Sequence, residues 1–244
     1  MKQQRNHNWN ILALTAVGLM LMSGCLGTRI PIPPEKLIEC NVDADSVLGR
    51  HYEATDFQLW HASPANEWYL DKIKEMNVPD GILKKFSALP GLDVSVADTA
   101  VVGREAVRVF KQLSDGTACR YAWAYIEPDT LGDHPVGEYF CLIVLYGNSG
   151  DKELRPLLDG TQVEYAKAEW WDNRPYFTFK FNDAAKEQWR HITNESIGQH
   201  LPVTLGHRVL AVPVVYSEID GGVAALTGLD EATACALVKL LSHN

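Results

Sequence analysis

Serine and cysteine come first in a search for chemistry, because an activated nucleophile leaves the plainest local marks. Ser149 sits in Gly147-Asn148-Ser149-Gly150, a loop-like stretch without the Gly-x-Ser-x-Gly spacing of a nucleophile elbow. Cys119 and Cys141 fall in strand-like runs, where a thiol is far more often packed than activated. No His-Glu-x-x-His or Cys-x-x-Cys pattern marks a zinc site. His191, His200 and His207 are spread over a helix, its exit and a turn, the setting of solvated or hydrogen-bonded structural histidines; His51 and His61 could meet near Asp56. Gly221-Gly222 lacks dinucleotide-binding or Walker spacing and precedes a strand, so its expected work is backbone geometry. The pairs Asp129 with Asp133 and Glu218 with Asp220 lie in loops, where acidic residues are ordinary. Trp170, Trp171 and Tyr176 form either an exposed aromatic platform or, as alternating aromatics in hairpins more often do, part of a core face. The expectation is no catalytic residue, no metal, no cofactor and no enzymatic activity.

The elements that position these residues begin after an unusual start. Met1–Asn10 carries Lys2 and Arg5, no acidic residue precedes Glu35, and Ile11–Met22 is apolar. That run is short of the ~20 residues a bilayer span requires. It leads into Leu21-Met22-Ser23-Gly24-Cys25, which resembles a bacterial lipobox. The resemblance implies that 1–24 is a signal peptide and that Cys25 is acylated on its thiol and new amino group. Such an anchor lies on a membrane without spanning it, each buried methylene contributing about 0.8 kcal/mol. Leu26, rather than Asp, is similar to outer-membrane sorting, with the cell exterior as the other expected setting. Without Lys2 and Arg5 the formal charge moves from −9 to −11, poorly suited to nucleic acid or anionic headgroups. Gly27–Pro34, with Pro31, Pro33 and Pro34, reads as a stiff spacer, so 25–34 forms the tether.

The remaining chain, part of 244 residues that are 46% hydrophobic, suffices for one large or two small domains. Residues 35–150 read as helices plus an antiparallel meander. Ser63-Pro64 is expected to open a helix, and Pro79-Asp80 a shorter one ended by Pro90-Gly91. From Leu92 the pattern is strand-like, including the Val- and Phe-rich Glu105–Gln112, a turn at Asp115-Gly116, and strands over Cys119–Ile126 and Phe140–Leu145. Gly147–Asp151 is the expected domain boundary. Besides Cys25, the cysteines Cys40, Cys119, Cys141 and Cys235 permit two bridges in three pairings. The hairpin register does not place Cys119 opposite Cys141, Cys235 reads as a small core residue, and the pairing stays open.

Residues 156–244 are more legible. Val163–Trp170 and Pro175–Phe181 flank a polar Asp172-Asn173 turn and read as a β-hairpin. Asp183 can cap a helix whose stripe is Ala185, Trp189, Ile192 and Ser196 or Ile197, closed by Gly198. Leu201–Leu205 and Arg208–Val212 flank a Gly206-His207 turn, and Pro213 marks a break. Val214–Tyr216 leads through Ile219-Asp220-Gly221-Gly222 into a strand at Val223, and Asp230 caps a last helix with Ala234, Leu237, Val238 and Leu241 on one face.

The order ββαββ(β)βα, together with Pro175-Tyr176-Phe177-Thr178-Phe179, Asn194–Gly198, Leu201–Pro213 and Ile219-Asp220-Gly221-Gly222, resembles the head subdomain of the first periplasmic domain of SecD. SecD is the membrane-embedded accessory subunit of the Sec translocase. The expected fold is therefore α+β: an N-terminal helix-plus-meander module, 35–150, and a C-terminal SecD P1 head-like domain, 156–244. Within it, Ile219, Asp220, Gly221 and Gly222 are implied to form the structural turn. The resemblance implies contact with extended polypeptide. The proton-coupled helices that do work in SecD have no counterpart here, so a translocation motor is not expected. The expected protein is a lipid-anchored envelope binding protein facing the periplasm, its partners an extended polypeptide or an envelope complex, the membrane through its acyl chains, and no nucleic acid. The alternatives are a structural lipoprotein bridging an envelope complex, then an envelope hydrolase with an unrecognised site.

Overall fold

The computed structural model describes residues 36–64, 96–126, 139–171 and 173–242. In chain order these form strand β1 (Lys36–Leu37), helix α1 (Ala44–Leu48), strands β2 (Phe57–Leu59) and β3 (His61–Pro64), and helix α2 (Val96–Leu113). Strands β4 (Cys119–Ile126), β5 (Tyr139–Tyr146) and β6 (Leu158–Asp159) come next, then the hairpin β7 (Val163–Trp171) and β8 (Arg174–Phe181) and helix α3 (Asp183–Glu195). Strands β9 (Val203–Leu205), β10 (Arg208–Ala211) and β11 (Val223–Leu226) precede the last helix, α4 (Glu231–Leu241). Cys25 and its surrounding signal, the Pro-rich spacer, the helix expected from Pro79, Asp129 and Asp133 lie outside the described residues.

The fold is α+β, with antiparallel sheets ordered β1-β7-β8-β11, β10-β9-β2-β6 and β3-β5-β4. The first two share one core. On β8, Phe177, Phe179 and Phe181 alternate inward and are fully buried, and Phe57 of β2 meets the first two edge-on at 6.0 and 5.2 Å. Trp189 of α3 closes one side, 5.3 Å from Phe181, and α4 packs on β7 and β8. Full burial of each such aromatic contributes roughly 1.5–3 kcal/mol. Residues 36–59, which the sequence pattern assigns to the N-terminal module, thus supply β1 and β2 to the sheets of the C-terminal segment.

Several local expectations are corrected. Asn182, not Asp183, caps α3; its side chain accepts from Ala185 N at 3.0 Å, and Asp183 becomes the first-turn carboxylate at the positive end of the helix dipole. Of the two residues considered for the end of its stripe, Ser196 is buried, whereas Ile197 is exposed. Ser63 and Pro64 end strand β3 opposite Val144 and Ile143 instead of opening a helix; a proline at a strand terminus removes little from the ladder. The rest of that expected helix lies outside the described residues.

Glu105–Gln112 is helical, not a strand. The buried positions Gly103, Ala106 and Val109 recur every three residues along α2 while Arg104 and Lys111 face solvent, and this amphipathic face overrides the β-branched content. Asp115-Gly116 accordingly ends a helix instead of joining two strands: Gly116 N donates to Lys111 O at 2.7 Å. Cys235 is buried but is no lone core residue. It is bonded to Cys40, tying the segment after β1 to α4.

Candidate functional site

The turn expected at Ile219–Gly222 is fastened to α3. Ile219 is buried and its N–H donates to Thr193 Oγ1 at 3.0 Å, while the Thr193 hydroxyl reaches Trp189 O at 3.0 Å. One residue earlier, Glu218 meets Arg190 at 3.2 Å, and Arg190 also holds Glu187. Those two carboxylates raise the Arg190 pKa, and the hydrogen bond from Arg190 lowers that of Glu187. Asp220 and Gly221 are exposed. Gly222 has φ +72° and its carbonyl accepts from Phe181 N at 2.9 Å; a Cβ there would come within 3.3 Å of Lys186 Cγ. Left-handed backbone and this close approach both call for glycine. The arrangement turns the chain into β11 and offers no reactive group.

A second feature lies where α2, β4 and the β9–β10 turn meet. They enclose an open groove of about 600 Å³ lined by Arg104 and Val107 of α2, Cys119 through Trp123 of β4, and His207 of the turn. Gly103 lets helix and strand approach, since a Cβ there would stand 2.4 Å from the Tyr121 ring. Arg120 crosses from β4 to the hairpin: its Nη2 donates to Gly206 O at 3.0 Å and Thr204 Oγ1 at 3.3 Å, and its guanidinium lies 5.1 Å from the centre of the Trp60 ring. Trp60 Nε1 donates to the same threonine oxygen at 3.1 Å. Burial lowers the Arg120 pKa, and among the described residues no carboxylate pairs with Arg120 or Arg104. Behind this contact, Trp60, Ala122, Ile143, Leu145 and Val212 form a small apolar cluster joining the three-stranded sheet to the head-side sheet.

The candidate reactive side chains are spoken for by structure. Burial pushes the Cys119 thiol up to about 11, which keeps it protonated, and its Sγ lies 3.9 Å from Val107 O. A protonated thiol is a poor nucleophile. Cys119 and Cys141 stand opposite Tyr146 and Ala124, not each other, as the expected register has it. His51 is held by Asp45 at 3.0 Å, while His61 lies against the Tyr146 ring at 5.5 Å; the two are engaged separately. Burial lowers the pKa of His61 and of His200, whose Nδ1 lies 3.4 Å from Val212 O. Ser149 and Lys152 stand at Ser-x-x-Lys spacing, yet Lys152 Nζ donates to Asp115 O and Ser149 lies in an exposed turn. No group of three or more metal-ligating side chains occurs among the described residues.

On the hairpin's outer face, Trp171 stacks on Tyr176 at 5.9 Å and stays exposed, while Trp170 is half-buried. The phenylalanines, not these residues, build the core face. Sequence reasoning missed the groove and its Arg120 bridge. One signal was present: alternation along Cys119–Ile126 puts Arg120 on the face of Ala122, a charge aimed at a second layer.

Residues 149–243 match the family described as the SecDF P1 head subdomain. The chain is 33% identical over 69 residues to the protein translocase subunit SecD of Calditerrivibrio nitroreducens, a match covering 27% of this chain and 13% of that protein's length. Among solved structures it is similar to SecDF described as a membrane component that enhances protein export, at 18% identity over 76% of this chain and 93% of that one, with a TM-score of 0.32. It is also similar to SecDF, a translocon-associated membrane protein from Thermus thermophilus, at 16% identity, 84% and 31% coverage and a TM-score of 0.30. Scores this low carry no argument. The family match does: the C-terminal segment is SecD P1 head-like.

Proposed function

We propose that this chain is a lipid-anchored cell-envelope protein whose SecD P1 head-like domain contacts extended polypeptide or an envelope partner, without being a translocation motor itself. The family match over 149–243 carries the reading, because the relative that shares it is named a protein translocase subunit. Among the described residues no helix is long and apolar enough to cross a membrane. Attachment is assigned to Cys25, placing the domains on the periplasmic side of a membrane, the outer one slightly favoured. Residues 36–60 fold with the head-like segment, and α2 with β3, β4 and β5 forms the added module.

Two experiments test this. Cells fed an alkyne-tagged fatty acid label the wild-type protein, and Cys25→Ser abolishes the label and moves the protein to the soluble fraction; a labelled Cys25→Ser variant would remove the anchor assignment. The detergent-solubilised full chain is titrated with extended peptides of varied composition, and photo-crosslinking in cells recovers bound chains. Silence in both overturns polypeptide contact, while stable co-purification with one envelope complex would favour the bridging role.

A further inference from the structure

Every sheet edge but one is blunted among the described residues. Strands β1 and β6 are two residues long, β3 ends in Pro64, β11 has four residues, and β10 has a register shift between Val209 and Ala211. These are the devices that keep edges from pairing with other chains. Strand β4 has none of them. It pairs with β5 over eight consecutive positions without a shift, its sequence Cys-Arg-Tyr-Ala-Trp-Ala-Tyr-Ile lacks proline, and no described strand pairs with its other side. Eight residues give an edge about 26 Å long. The groove bounded by Arg104, Val107 and His207 runs along its first five residues, Cys119–Trp123.

We propose that the outer edge of β4 takes an extended polypeptide segment bearing carboxylate side chains, which adds as a fourth strand to the β3-β5-β4 sheet. Strand addition of this kind draws affinity from main-chain hydrogen bonds and selectivity from flanking side chains. Here the flanks decide the chemistry. Arg104, His207 and the Arg120 already bonded to Gly206 O line the groove, and among the described residues no acidic side chain does, in a chain whose formal net charge is −9. Arg104 and His207 are exposed, and among the described residues no carboxylate pairs with either, so both can meet an incoming carboxylate. Val107, Ala122 and Trp123 supply apolar wall for the alternate residues of the segment. A second copy of this chain fits less well, because edge-to-edge pairing of two β4 strands would bring the two sets of arginines together.

The inference rests on the polypeptide-binding reading above, and its test separates the two. The full chain in detergent micelles is titrated with a fluorescein-labelled peptide of about ten residues alternating Val and Glu, and with its Val–Lys counterpart. Two further Val–Glu peptides carry backbone N-methyl groups, one on all odd and one on all even positions. A strand added to an edge uses the amides of alternate residues only. One methylated peptide therefore loses at least about tenfold in affinity and the other binds like the parent, the size of a few lost hydrogen bonds. Arg104→Glu with His207→Glu weakens the Val–Glu peptide by about tenfold and strengthens the Val–Lys peptide, both substitutions being at exposed positions. If peptides bind but both methylated forms bind alike, or the double variant binds unchanged, the β4 site is wrong and polypeptide binding stands. If no peptide binds, both fall. Concentration-dependent doubling of mass that competes with peptide would reassign the edge to self-association and overturn the proposal.

Discussion

At Gly222 the backbone has φ +72° with Lys186 alongside, whereas its neighbour Gly221 has no heavy atom within 4 Å of a built Cβ. The two glycines therefore separate by experiment. Gly222→Ala is expected to destabilise by about 1–2 kcal/mol, the cost of a left-handed alanine, while Gly221→Ala stays within about 0.5 kcal/mol. Urea denaturation of both variants checks this; equal losses would mean that the pair does not divide in this way. His61 and His200 supply a pH dependence. Burial lowers both pKa values, so between the folded and ordinary values the unfolded chain binds protons that the folded chain does not. Their contribution is complete above the ordinary value of 6.5 and is lost as pH falls below it toward the folded values. Unfolding free energy is expected to drop between about pH 7.5 and pH 5.5 and to drop less in His200→Gln; an identical slope in that variant would exclude His200 as a source.

Among the elements, the first described segment is tied to the rest by a short strand and a disulfide. Strand β1 is two residues long, pairing Lys36 with Trp170 and Leu37 with Glu169, and just beyond it Ile38 N donates to Ala168 O at 2.9 Å. The Cys40–Cys235 bond, spanning a sequence separation of 195, holds the chain just beyond Leu37 against α4. Reduction is expected to remove about 3 kcal/mol and to speed amide exchange over residues 36–48 while the β7–β8 hairpin stays protected. Cys40→Ala should reproduce the loss, and a reduced protein as stable as the oxidised one would show that packing alone holds the segment. Helix α2 shows why an element can be misread. Its Val-rich sequence favours a strand locally, and only the packing of its buried face, Gly103, Ala106 and Val109, with the helix set on β4 and β5 and Gly103 against Tyr121, fixes the helical period. The hairpin β7–β8 was legible because aromatic alternation and a polar turn agree, with Asn173 at φ +58° supplying the turn.

For the whole molecule, the head-like segment does not own its core. Phe57 and Leu59 of β2 are fully buried between its strands, and β2 pairs with both β6 and β9. A fragment spanning 149–244 alone is expected to unfold without cooperativity, lacking those side chains, the central strand of one sheet and the disulfide partner; addition of 36–60 should restore a transition. A fragment melting like the full chain in circular dichroism would refute the shared core. The same organisation bears on function, because Arg120 fixes the β9–β10 turn beside the added sheet, so the groove is composed by both parts together.

By itself the sequence determined most elements from Val163 to Leu241 and the family likeness they carry, because local propensity and periodicity there point one way, even though the cap of α3 falls one residue before the Asp183 expected. It also carried the lipobox-like start on which the anchor assignment rests. Tertiary structure alone decided that Cys40 bonds Cys235, that β1 and β2 join sheets formed more than a hundred residues later, and that no described strand is hydrogen-bonded to β4 on the side away from β5. Pairing of distant cysteines and strands depends on which chain segments become neighbours. No local pattern encodes that, so it emerges only when the core is packed.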